Sequence, residues 1–132
     1  MSQLNPLVGE WIGQSTTYKG GKAIKTVPAF EKISYGLDGH ILTIDLDSEA
    51  LQLHTVIYYD ETDDTFYYNP FYKTGSAKYR AEFKDGQLIV WPTETKRFIF
   101  GINDEGQFVE YGETFQNGEW TVYFKDVFKR TE

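Results

Sequence analysis

Turn-forming residues recur at short and fairly even intervals, and this spacing constrains the fold more than any other feature of the chain. Gly, Asp or Asn residues mark turns at 19–22, 38–39, 60–64, 74–75, 85–86, 104–106 and 117–118. The gaps between these turns have the length of single strands. The spacing therefore predicts an all-β chain of successive antiparallel hairpins.

Between the turns, apolar and polar residues alternate with a period of two, which is typical of strands with one buried face. In the clearest case, positions 77, 79, 81 and 83 are apolar or aromatic, whereas 78, 80 and 82 are charged. The pattern predicts ten strands, at 8–18, 23–35, 40–48, 51–60, 65–72, 76–84, 87–91, 96–103, 107–116 and 119–130. In the last of these, apolar residues occupy both faces.

An open sheet of ten strands would leave two edges free to pair with other chains, and closure removes both edges. Consecutive short turns favour an up-and-down order of strands. We therefore predict one domain over residues 1–132, a closed antiparallel barrel of about eight to ten strands. Residues 3–7 are expected to form a short helical turn that plugs one end.

The charge and composition of the 132 residues exclude several functions. A net charge of -7 repels phosphate backbones and anionic lipids, so we expect no nucleic acid partner. The absence of cysteine excludes disulfides and thiolate chemistry. No stretch is long and apolar enough for membrane insertion, and residues 1–6 lack the features of a signal peptide. We expect a soluble, cytoplasmic protein.

Two short motifs at opposite ends of the chain resemble those of the calycin superfamily, which includes lipocalins and fatty-acid-binding proteins. Gly9-x-Trp11 stands in the first predicted strand and Arg130 ends the last. The resemblance implies that the guanidinium of Arg130 stacks on the indole of Trp11 and closes the barrel. The strand end Tyr59-Asp60 and the hairpin at 117–120 make the chain most similar to uncharacterised bacterial calycin-like domains.

Departures from better-known calycins prevent the transfer of a ligand. Residues 19–22 turn directly into the next strand, where fatty-acid-binding proteins insert two helices. The ten-stranded haem-binding relatives use a histidine late in the chain, and no histidine follows His54. We therefore expect no cofactor. We also expect no metal site, because His40 and His54 lack a suitably spaced carboxylate and residues 60–64 lack the ligand order of a calcium loop.

A barrel of this size can hold one small guest in its lumen. The candidate lumen residues are polar or aromatic side chains within predicted strands: His54, Tyr58, Tyr79, Phe83, Arg97 and Tyr111. His54 and Arg97 can each face either way; for Arg97 we favour the outer face, because Phe98 and Phe100 gain more from burial. Asp45, Asp47 and Glu49 are expected outside, since three buried carboxylates would be costly to desolvate.

Non-catalytic binding of a small apolar or amphipathic molecule is the function that we predict. Motifs for a serine nucleophile, a phosphate loop or a dinucleotide are absent from the sequence, and no catalytic residue is assigned. One alternative is a small enzyme of the cyclase or isomerase type that uses His54 or Arg97. Another is an interaction module with a filled lumen, for which a homodimer joined through the aromatic face of the last strand is one arrangement.

Overall fold

The computed structural model describes residues 1–49 and 51–131, and its chain is almost entirely β-structure. A 3-10 helix, Ser2–Leu7, comes first, and a 3-10 turn, Leu37–Gly39, joins the second and third strands. The strands are β1 Gly9–Lys19, β2 Lys22–Gly36, β3 Ile41–Ser48, β4 Gln52–Asp60, β5 Thr65–Tyr72, β6 Gly75–Ser76, β7 Tyr79–Lys84, β8 Gln87–Thr93, β9 Lys96–Ile102, β10 Phe108–Gln116 and β11 Glu119–Arg130.

The strands form one closed antiparallel ring, in the order β1-β2-β3-β4-β5-β7-β8-β9-β10-β11 and back to β1. The prediction of an up-and-down barrel is therefore confirmed, with ten strands in the ring. The predicted strand 76–84 is divided in two, because β6 pairs only with the end of β5 and β7 begins at Tyr79. The two-residue strand β6 folds back on the end of β5 as a short antiparallel hairpin.

The first and last strands meet along a seam where Trp11 is the register partner of Arg130. The guanidinium carbon of Arg130 lies 4.3 Å from the centroid of the Trp11 ring. Its Nη1 and Nη2 donate hydrogen bonds to the carbonyl oxygens of Val8 (2.9 Å) and Pro6 (3.0 Å). Gly9 has a φ of +143°, and a side chain at this position would collide with the guanidinium. This close approach explains why the first position of the Gly-x-Trp motif is a glycine.

The N-terminal 3-10 helix plugs the end of the barrel at this seam, as the sequence predicts. Leu4 and Leu7 are buried, and the Trp11 indole donates a 2.8 Å hydrogen bond to the carbonyl of Leu7. Beneath them, the rings of Phe108 and Phe128 are stacked, with centroids 5.7 Å apart. The plugged end is therefore a dry, packed core.

Because successive side chains of a strand point to opposite faces, the predicted apolar positions face the interior of the barrel. On β3, Leu42 and Ile44 are buried, whereas Asp45 and Asp47 are exposed on the outer face as predicted. On β11, the register shifts so that Gly112 opposes Phe124 and Glu113 opposes Val122. Tyr123 is the extra residue of this bulge. The phase of the strand changes there, which explains why apolar residues of β11 occupy both faces.

Within residues 1–49 and 51–131, the structure has no helix that is long and apolar enough to cross a membrane.

Candidate functional site

The lumen opens into a cavity of about 380 Å³ at the end opposite the 3-10 helix. Its lining comes from the ends of strands that converge around this opening. The apolar part of the wall consists of Leu46, Leu51, Leu53, Phe98, Phe100 and Phe124, and three tyrosines, Tyr68, Tyr72 and Tyr123, join them. The polar part consists of Ser15, Thr17, Ser48, Lys96, Glu110 and Asp126.

Three acidic side chains converge inside the barrel. We call Glu31, Glu110 and Asp126 the carboxyl triad. Glu110 on β10 and Asp126 on β11 are register partners, and Asp126 is in turn the partner of Ser15 on β1. Glu31 extends from β2, and one carboxyl oxygen of each residue lies within 4.8 Å of the other two. Glu31 and Asp126 are only 2% and 4% exposed, whereas Glu110 and Asp126 line the cavity.

Burial strongly favours the protonated form of these carboxyl groups. Desolvation raises the pKa of Glu31 to about 7. Desolvation and the neighbouring Glu110 carboxylate raise the pKa of Asp126 to about 9. Desolvation and the charge of Glu31 also hold the pKa of Glu110 well above its ordinary value. Because like charges this close cannot all ionise, the triad retains protons near neutral pH and shares them through carboxyl–carboxyl hydrogen bonds.

Polar atoms around the triad are incompletely satisfied. Oε2 of Glu31, Oδ1 of Asp126 and the hydroxyl of Tyr123 are buried and have no hydrogen-bond partner among the described residues. Such atoms are rare in folded proteins and often mark a bound molecule or a functional group. Tyr68 is the other titratable group that faces the triad, and its burial raises its pKa. Lys96 lies towards the mouth, with its Nζ 5.0 Å from the centroid of the Tyr123 ring.

Two of the predicted lumen residues face the interior. Tyr79 packs against the core with its ring centroid 6.4 Å from that of Phe98. Phe83 lies at the plugged end, beside Leu7. The barrel therefore does not bring these two side chains together at the cavity. Their part in ligand binding stays a prediction.

Two further candidates on β4 differ from their predicted place because Thr55 and Ile57 occupy the inward positions of that strand. His54 points outward, where its Nδ1 pairs with the carboxylate of Asp45. Tyr58 also lies outside the lumen, with its ring centroid 5.7 Å from that of Tyr67. Neither side chain can contact a molecule inside the barrel.

Arg97 and Tyr111 also lie on the outer face. Arg97 forms an ion pair with Glu113, with a 2.8 Å contact from Nη2, and its guanidinium lies 3.9 Å from the Trp120 ring centroid. This is the face that we favoured for Arg97. Tyr111 follows the inward Glu110 directly, so the alternation of β10 turns it outward. A ligand carboxylate in the lumen therefore has no contact with Arg97.

The carboxyl triad was missed by the sequence analysis, although each member stands in phase with buried residues. Glu31 lies between Ala29 and Ile33 on the inward face of β2. Asp126 lies between the inward Phe124 and Phe128. An acidic residue at an inward position of a predicted strand was thus the available signal.

Comparisons with known proteins bear on the fold alone. No protein-family model matches the chain. No curated protein matches it either. The crystal structure of Rv2717c from M. tuberculosis is similar over 100% of this chain and 99% of that chain, with a TM-score of 0.67 and 10% sequence identity. A protein of unknown function from the DUF3598 family of Nostoc punctiforme aligns over 98% of both chains, with a TM-score of 0.34 and 6% identity.

The likeness to Rv2717c shows a shared fold, and no conclusion is drawn from the second alignment. A closed ten-stranded antiparallel barrel fits the calycin-like architecture that the sequence predicts. Membership of a particular family stays a prediction.

Proposed function

We propose that the protein binds a small amphipathic molecule in the cavity of its barrel without transforming it. The single observation that supports this most is the cavity of about 380 Å³, which is within the usual range for small-molecule sites. Most of its lining residues are aromatic or aliphatic, and Glu110 and Asp126 form a polar cluster between them. Apolar walls with a small polar cluster are the usual composition of such sites.

The alternatives have less support. The enzyme hypothesis needed a titratable group such as His54 or Arg97 in the lumen, and these two side chains lie on the outer face and give it no support. The filled-lumen hypothesis needed a barrel packed throughout, whereas a cavity of about 380 Å³ lies at the end opposite the 3-10 helix. We retain three expectations from the sequence as part of the proposal. They are a homodimer through the last strand, a cytoplasmic location, and the absence of nucleic acid or membrane partners.

The proposal is tested by filling the cavity. Leu53 lines it from β4, whereas the adjacent Gln52 is exposed on the outer face. We expect Leu53→Trp to reduce the binding of an uncharged fluorescent apolar probe such as 6-propionyl-2-dimethylaminonaphthalene or N-phenyl-1-naphthylamine by about tenfold, because the indole occupies the space of the probe. Gln52→Trp is the matched control and should bind as the parent protein does.

Native mass spectrometry of the protein purified from its own host provides a second test. A retained small molecule that is lost from the Leu53→Trp variant would support lumenal binding. A clean unliganded mass, together with no uptake of either probe by the parent protein, would refute the proposal.

A further inference from the structure

We propose that the lumen recognises the ammonium group of a small apolar primary amine, with Glu110 and Asp126 as its direct partners and Glu31 behind them. This inference rests on the proposed function and names the class of ligand. It is carried by the position of the carboxyl triad at the floor of a cavity with apolar walls.

The unsatisfied atoms of the site match this ligand. A primary ammonium has three N–H donors and no acceptor. Asp126 is 4% exposed, lines the cavity and leaves its Oδ1 without a hydrogen bond. The buried hydroxyl of Tyr123, which lines the same cavity from the β11 bulge, also has no partner. Oδ1 of Asp126 is therefore a free acceptor beside Glu110, and the Tyr123 hydroxyl is a further unpartnered acceptor elsewhere in the cavity wall.

The charge of the site also suits a single cation. A bound ammonium favours the ionised form of a neighbouring carboxyl group and neutralises the negative charge that forms there. Charge-assisted hydrogen bonds of this kind are stronger than neutral ones, especially away from water. The aromatic wall adds to this, because aromatic faces attract cations.

Two other ligand chemistries fit less well. A divalent metal prefers six or more oxygen ligands, and the triad offers three carboxyl groups beside an apolar wall. An anionic ligand would meet three acidic groups, and Lys96, the cationic side chain of the cavity lining, lies towards the mouth beside Tyr123. Both chemistries are retained as outcomes of the test.

The experiment compares ligands of one shape and different charge by isothermal titration calorimetry at pH 7. The probes are 2-phenylethylamine, its neutral counterpart 2-phenylethanol, the anion 3-phenylpropanoate, and Mg²⁺ and Ca²⁺ alone. We expect the amine to bind about tenfold or more tightly than the alcohol, because a hydrogen bond to a charged partner contributes more than a neutral one. Titrations in phosphate and Tris should differ in heat, because the bound ammonium displaces a proton from the triad.

Variants of the triad separate this inference from the proposed function. In Glu110→Gln and Asp126→Asn, the preference for the amine should fall at least severalfold, while 2-phenylethanol still binds. Glu82→Gln, on the exposed face of β7, is the matched control and should leave the preference unchanged. Thermal unfolding of each variant checks that it is folded.

The outcomes are distinct. Equal binding of amine and alcohol, or tighter binding of the anion, would overturn the ammonium inference and leave lumenal binding intact. Binding of Mg²⁺ or Ca²⁺ that is abolished in Glu110→Gln, without binding of the amine, would also overturn it in favour of a metal site. Failure of every organic probe would overturn the inference and the proposed function together.

Discussion

The two ends of the lumen are built from the same ten strands and differ in what fills them. At the plugged end, Trp11, Phe108 and Phe128 are at most 1% exposed and leave no large space between them. At the other end, the lumen contains a cavity of about 380 Å³ with the carboxyl triad at its floor. The two ends therefore differ in role: one end stabilises the barrel, and the other remains available for a ligand.

Truncating one aromatic ring at each end should give the largest contrast. We expect Phe108→Ala to lower the free energy of unfolding by about 3–5 kcal/mol, because the buried ring leaves a void in a close-packed region. Phe98→Ala should cost about 1–2 kcal/mol, because Phe98 is partly exposed and already borders open space. Urea denaturation measures both values. Equal losses would contradict the division between the two ends.

The cavity end should also make stability depend on pH. A carboxyl group whose pKa is higher in the folded than in the unfolded protein holds its proton more tightly when folded, so protonation stabilises the fold. With the pKa of Glu31 raised to about 7 and that of Asp126 to about 9, this stabilisation is complete below about pH 4 and fades as the pH rises. We expect the ligand-free protein to lose at least about 1.4 kcal/mol per pH unit between pH 5 and 8, which is the value for one retained proton.

Glu110→Gln should flatten this dependence, because it removes the central ionisable group and keeps the shape of the side chain. Urea denaturation at pH 5, 6.5 and 8 provides the measurement, and the exposed Glu82→Gln should retain the slope of the parent protein. A free energy of unfolding that increases from pH 5 to 8 would show that the triad is not buried as described.

The seam should give the smallest effect of the three. Arg130→Ala removes two hydrogen bonds and the stacking on Trp11, and we expect a loss of about 1–2 kcal/mol from the free energy of unfolding. Arg130→Lys should recover only part of it, because an ammonium cannot reproduce the planar, forked guanidinium. Probe binding at the distant cavity should stay unchanged in both variants. Full recovery by lysine would argue against the stacking.

The fold was accessible from the sequence because strand period and turn chemistry are local properties. The inward positions of β7 follow from a short alternating pattern, whereas the contact between Trp11 and Arg130 was expected from the resemblance to calycins. The bulge at Tyr123 was not accessible, since it depends on how β10 and β11 align. The loss of alternation in the last strand was its only trace in the sequence.

The candidate site was predicted poorly, and the reason is physical. The high cost of burying carboxylates correctly placed Asp45 and Asp47 outside, but that cost applies to ionised, isolated groups. Glu31, Glu110 and Asp126 avoid much of it by sharing protons with one another, which requires residues from three strands to meet. No pattern within a single strand reports such a meeting.

Side chains on the outer face of the barrel can also be buried, which makes them hard to distinguish from lumen residues in the sequence. Ile99 is 5% exposed although it lies on the same face of β9 as Arg97. Arg97 itself lies between Trp91 and Trp120, at 5.7 and 3.9 Å from their ring centroids. Large aromatic residues thus cover part of the barrel's exterior. A preference for burial alone therefore does not reveal which side of a strand faces the lumen.

The seam between β1 and β11 also determines when the binding site appears during folding. Among the described strands of the ring, every other pairing joins neighbours along the chain, whereas the hydrogen bond from Arg130 to Val8 spans 122 residues. Hairpins can assemble early and independently, but contacts of such long range form slowly. The capacity to retain a ligand should therefore be gained in one late step of refolding, well after most strand pairs are in place.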